Sequence, residues 1–113
     1  MSRQNASPTE SASLVAPFVV RPRLDGDTLS IAISGELDIA TVHLVQEAQR
    51  SEHDGYGFVR YELAGLGFMD SAGLRVLLAP AGSRIPIEQI SITDPAPIVR
   101  RLLEISGVQG MIS

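Results

Sequence analysis

Residues 28–35, TLSIAISG, alternate without a break: Leu29, Ile31 and Ile33 fall on one side of an extended chain, Thr28, Ser30, Ala32 and Ser34 on the other. A period of two with one apolar side marks a β-strand that covers a core with one face. Such a strand cannot stand alone, because its backbone groups and its apolar face both need partners. Upstream, Asp25-Gly26 is a hairpin signal, so LVAPFVVRPRL is expected to be the antiparallel neighbour. Pro17 and Pro22 assign that neighbour to a sheet edge, where a missing amide breaks no ladder. Gly35 is expected to end the strand.

Beyond GELD, Ala40, Leu44, Val45 and Ala48 recur at helical spacing and predict a helix over about 40–51, with Gln46, Glu47, Gln49 and Arg50 elsewhere around it. FVRYELAGL predicts the next strand, in which Arg60 and Glu62 alternate with Val59, Tyr61 and Leu63 and leave one face wetter. A short helix is expected from Ala72 to Leu78, ending near Pro80, then a strand through Ile90 and Ile92. Asp94-Pro95 reads as a capping carboxylate followed by proline in the first helical position. Ile98, Leu102 and Ile105 share a face of that helix, Val99 and Leu103 widen it, and Gly107 offers a C-terminal cap. VQGMIS suggests a last short strand. Helices alternating with strands after an opening hairpin imply an α/β fold with a mixed sheet.

The chain has 113 residues, enough for one domain, with residues 1–13 a polar, serine-rich arm and residues 14–113 the folded unit. With no tryptophan and 4% aromatics, its core must be mainly aliphatic. A net charge of −4 argues against nucleic-acid binding, which needs a basic face. The absence of cysteine excludes disulfides, thiol catalysis and thiolate metal sites. No apolar run approaches the ~18 residues of a membrane span, and no signal-peptide core follows the N-terminus. A soluble, cytoplasmic protein without direct membrane insertion is expected.

The chemistry concentrates in GFMDSAGL, residues 67–74. Asp70 or Ser71 could cap the helix that follows. Ser71 could be a nucleophile, but no G-x-S-x-G elbow surrounds it, and His43 and His53 read as solvated side chains rather than bases. Ser71 could instead be a phosphorylation site, since a helix N-terminus tolerates a new anion. Gly67 and Gly73 keep its surroundings small, which would let a partner's active site approach. Glu36 and Asp38 lack calcium-loop spacing and read as a solvated turn in which Asp38 caps the next helix. No metal or cofactor is expected, and a chain without lysine cannot form a Walker loop.

ISGELDIAT, GLGFMDSAGLRVLL and ISITDPAPIVRRLLEISGV, in this order, resemble the STAS domain of bacterial anti-sigma factor antagonists, over roughly residues 14–112. The resemblance implies a mixed four- to five-stranded sheet packed with three to four helices, and a regulatory binding protein rather than an enzyme. It makes Ser71 the residue phosphorylated by a partner, an anti-sigma factor serine kinase, to which ATP and magnesium would belong. The unphosphorylated form would bind that kinase and free the sigma factor. Phosphorylation would end the binding and a serine phosphatase would restore it. Asp38 would lie near the acceptor and share the partner-binding surface with Glu36, Asp70, Ala72 and Gly73. The chain differs from the family pattern at Glu62, where aspartate is common, at Arg60 and Tyr61, and in a shorter helix after Ser71. An alternative within the same fold is a docking subunit of a membrane transporter or larger signalling assembly, not switched through Ser71.

Overall fold

The computed structural model describes residues 17–51, 56–82 and 84–113. The expected arm over 1–13, and His53, lie outside the described residues. Along the chain come β1 (Val19–Asp25), β2 (Thr28–Leu37), α1 (Val42–Ser51), β3 (Phe58–Glu62), β4 (Leu66–Met69), α2 (Ser71–Leu78), β5 (Ile90–Thr93) and α3 (Pro97–Ile105). Short 3-10 turns occupy Ile87–Gln89 and Gln109–Met111. The fold is α/β, with a mixed five-stranded sheet in the order β1-β2-β3-β5, and β4 paired to β2 beyond the end of β3. β1 lies antiparallel to β2 at the edge, a place that suits Pro22 within it, and the remaining pairs are parallel.

Register explains the core. Leu29 and Ile31 stand beside Val59 and Tyr61, which stand beside Ile90 and Ile92, and all six are buried on one face. Val45, Ala48, Val76, Leu77, Val99 and Leu103 bring the three helices onto the same cluster. Burying each of the larger aliphatic side chains contributes roughly 1.5–3 kcal/mol. The other face is the wet one: Arg23 and Arg60 approach Glu62 Oε2 at 3.5 and 3.8 Å, and Arg60 Nη2 donates to Ser30 Oγ at 2.9 Å.

Several elements differ from expectation for local physical reasons. β2 does not end at Gly35 but bends there and runs on to Leu37. Gly35 takes φ +100°, and a Cβ on it would stand 2.8 Å from the Pro17 carbonyl oxygen, so only glycine lets the lead-in to β1 pass so closely. FVRYELAGL is two strands, parted by a turn in which Leu66 N donates to the Leu63 carbonyl at 3.1 Å. Gly35 N then donates to the Gly65 carbonyl at 3.0 Å, and the re-registered chain pairs as β4 with the extension of β2.

α3 starts at Pro97, not after Asp94, which sits in the left-handed region at φ +50°. Pro97 takes the first helical position and holds Ala96 extended, so the helix cannot begin earlier. Its buried residues are Val99 and Leu103, while Ile98 and Ile105 are 59% and 70% exposed. Gly107, at φ +78°, closes the helix as expected: its N–H donates to Glu104 O and that of Val108 to Leu103 O, the paired bonds of a Schellman motif. The last segment contributes a single bridge, Ile92 to Ile112, rather than a strand.

Candidate functional site

The site grows from the ends of two parallel strands. Leu37 and Met69 are register partners, and Asp70 N donates to the Leu37 carbonyl at 3.2 Å. From that bond the chains diverge, Asp38 opening the turn to α1 and Ser71 opening α2. Asp38 and Ser71 therefore each lie one residue beyond the same hydrogen-bonded pair.

Asp70 is the helix cap. Its backbone is extended, and its Oδ1 accepts the Gly73 N–H at 2.9 Å. Ser71, the first helical residue, is exposed, and its hydroxyl makes no hydrogen bond among the described residues. Asp70→Ala is expected to cost about 1 kcal/mol of stability and Ser71→Ala less than about 0.5, read by urea denaturation. Equal losses would mean that the hydroxyl shares the capping.

Gly73 is buried rather than part of an open approach to Ser71. A Cβ there would stand 2.8 Å from the Leu37 carbonyl oxygen, from Leu37 Cγ and from Met69 Cγ. Its missing side chain seats α2 against the end of β2. Gly73→Ala gains helix propensity but must push α2 away, for a net loss of about 1–2 kcal/mol in the same denaturation assay. Ala72 is half-buried beside it, and Gly67 is exposed.

The β2–α1 turn is held by its own polar groups. Asp38 Oδ1 accepts the Ala40 N–H at 2.9 Å, and the Asp38 N–H donates to Thr41 Oγ1 at 3.0 Å. Thr41 Oγ1 donates to the Glu36 carbonyl at 2.9 Å, while the Asp38 carbonyl accepts from Thr41 and Val42, each at 3.0 Å. Asp38 thus builds the turn ahead of α1. Glu36, the last but one residue of β2, is exposed to solvent beside it.

Two apolar side chains on this rim were not singled out by the sequence. Ile39, at the crest of the turn, is 79% exposed, and Phe68, the register partner of Glu36, is 40% exposed. Ile39 had a signal, since it sits between GELD and the helix, where no core-facing position is available.

The far end of α2 holds a third surprise. Gln49, assigned by periodicity to the polar side of α1, is fully buried. Its Nε2 donates to the Val76 carbonyl at 2.8 Å and to the Tyr61 hydroxyl at 3.0 Å, and its Oε1 accepts the Ala81 N–H at 2.8 Å. Val76 needs this donor because the residue four positions on is Pro80, which has no amide hydrogen. Burial holds the Tyr61 phenol far above its ordinary range, with the Gln49 bond offsetting part of the effect.

Ser71 has no base within hydrogen-bond reach among the described residues, and His43 is exposed on α1. Among those residues no three His, Asp or Glu side chains gather as metal ligands. No helix in that set is long and apolar enough to cross a membrane.

The fold has known counterparts. The anti-sigma factor antagonist SpoIIAA in its unphosphorylated form aligns with TM-score 0.65 at 20% identity, over 86% of each chain. An anti-sigma factor antagonist from Mycobacterium paratuberculosis gives 0.68 at 19%, over 85% of this chain and 83% of that one. The Bacillus cell fate determinant SpoIIAA in its phosphorylated form gives 0.61 at 19%, over 86% and 89%. At such identities these likenesses establish the fold. The sequence itself matches the family described as Mlab, STAS domain, over residues 20–113. The chain belongs to the STAS domain family.

Proposed function

We infer that this STAS domain is an anti-sigma factor antagonist, switched by phosphate on Ser71. In its unphosphorylated form it binds an anti-sigma factor serine kinase in the cytoplasm and so frees the sigma factor. The observation that carries the reading is the exposed, unbonded hydroxyl of Ser71, left free because Asp70 does the capping. Glu36, Asp38, Ile39, Phe68 and Asp70 around it form a rim that combines apolar contacts with acidic charge. That SpoIIAA, of the same fold, is known in unphosphorylated and phosphorylated forms supports the reading.

In the switching step the kinase transfers the γ-phosphoryl group of ATP to Ser71 Oγ. The new P–O bond replaces the bond to ADP, and the hydroxyl proton leaves with a base of the kinase or with water. The product carries about −1.5 to −2 charges beside Asp70 and the acidic turn, where a closed interface would have to desolvate them. A serine phosphatase, hydrolysing the ester, would restore binding.

The test is intact mass and peptide mapping after incubation with ATP, magnesium and the anti-sigma factor kinases of the same genome. One phosphate, on Ser71 and absent from Ser71→Ala, is expected. No modification, together with tight binding to a transporter subunit, would replace this reading with that of a docking subunit.

A further inference from the structure

We propose that Arg75 is an internal partner for the phosphate on Ser71, so that the switch withdraws a cation from the binding face as it adds an anion. The inference rests on phosphorylation of Ser71. Its ground is the geometry of α2. Ser71 and Arg75 are four residues apart in one helix, both exposed, and therefore on one face about 6 Å apart along the axis. Helical side chains lean toward the N-terminus, which aims the Arg75 guanidinium up the face toward Ser71. An anion placed before a cation at this spacing is also the favourable order. Arg75 is the one basic residue of α2, and its side chain pairs with no carboxylate among the described residues. It is free for a new acceptor.

The other charges near the site are mostly of the wrong sign to hold a phosphate. Asp70 caps the same helix, Glu36 lies near the end of β2, and Asp38 opens the turn that follows it. α1, packed against α2, carries His43, Glu47 and Arg50, and β4 carries no charge. Arg75 offsets that repulsion within the helix, while outward the acidic rim remains. Before phosphorylation Arg75 is available to a partner. Afterwards its fork is engaged by the phosphate oxygens, which accept paired N–H bonds from guanidinium better than from any other side chain.

The test uses the full chain with phosphoserine installed at position 71 during translation, so no kinase is needed. Phosphorus NMR titration then reads the second ionisation of the phosphate. Pairing with Arg75 favours the dianion and lowers that pKa, so Arg75→Gln is expected to raise it by about 0.3 pH units. Arg75→Lys should recover most of the difference, and 1 M salt should erase it. Superimposable titrations of the wild type and Arg75→Gln at low salt would overturn the assignment. Because the phosphate arrives without a kinase, failure of the phosphorylation assay and failure of this ion pair are separate results.

Discussion

Replacing Gln49 with leucine is expected to cost the folded protein about 3 kcal/mol, although leucine nearly fills the same space. The change strands three groups at once: the Val76 carbonyl, the Ala81 amide and the Tyr61 hydroxyl lose their shared partner. A buried group left unpaired costs about 1–3 kcal/mol, and some of the three will reach water by fraying the end of α2. Val76 has the least recourse, since Pro80 cannot supply the helical donor. In thermal denaturation the loss should appear as a fall in Tm of roughly 10–15 °C. A fall below about 3 °C would mean that the loop beyond Leu78 re-pairs by itself, and that Gln49 is not what anchors α2.

The second large effect is functional. Ser71→Glu is expected to weaken binding to the anti-sigma factor kinase roughly 30- to 1,000-fold, about 2–4 kcal/mol for a new carboxylate that the closed interface must desolvate. Ser71→Ala, which removes an unbonded hydroxyl, should change affinity less than about threefold. Both variants should fold, because Asp70 and not Ser71 holds the helix start. Calorimetric titration separates the two. Equal affinity of Ser71→Glu and Ser71→Ala would remove charge at Ser71 from the mechanism and leave the domain as an unswitched docking module.

These expectations draw unequally on sequence. The β1–β2 hairpin was legible because alternation, Asp25-Gly26 and two prolines agree on one arrangement, and β1 indeed pairs with β2 from Val19 to Asp25 at the edge. The helix after Ser71 was legible to within one residue, since a cap residue and a leucine stripe are local signals. Which residue caps was not, because Asp70 and Ser71 are adjacent and both suited to the role. Gln49 was hidden for a different reason. On α1 it looks like any polar residue, and the groups that bury it come from β3, from α2 and from the loop beyond, all distant in the chain.

Long-range geometry also decided the other differences. α3 carries more apolar residues than the core can accept, so packing and not periodicity selects Val99 and Leu103 and leaves Ile98 and Ile105 outside. The break of FVRYELAGL depends on where Gly65 meets Gly35 of another strand, which no local pattern reveals. The site was legible as a motif at Ser71 and as acids in GELD. That Leu37 and Asp70 join the two segments follows only from the parallel pairing of β2 with β4.

The central claim is that phosphate on Ser71 ends a binding event. The most direct measurement is the dissociation constant of the anti-sigma factor kinase for the same full chain with and without phosphate at that one position. The unphosphorylated form should bind at least about 100-fold more tightly, the consequence of a dianion that the interface cannot desolvate. Equal dissociation constants for the two forms would contradict the account.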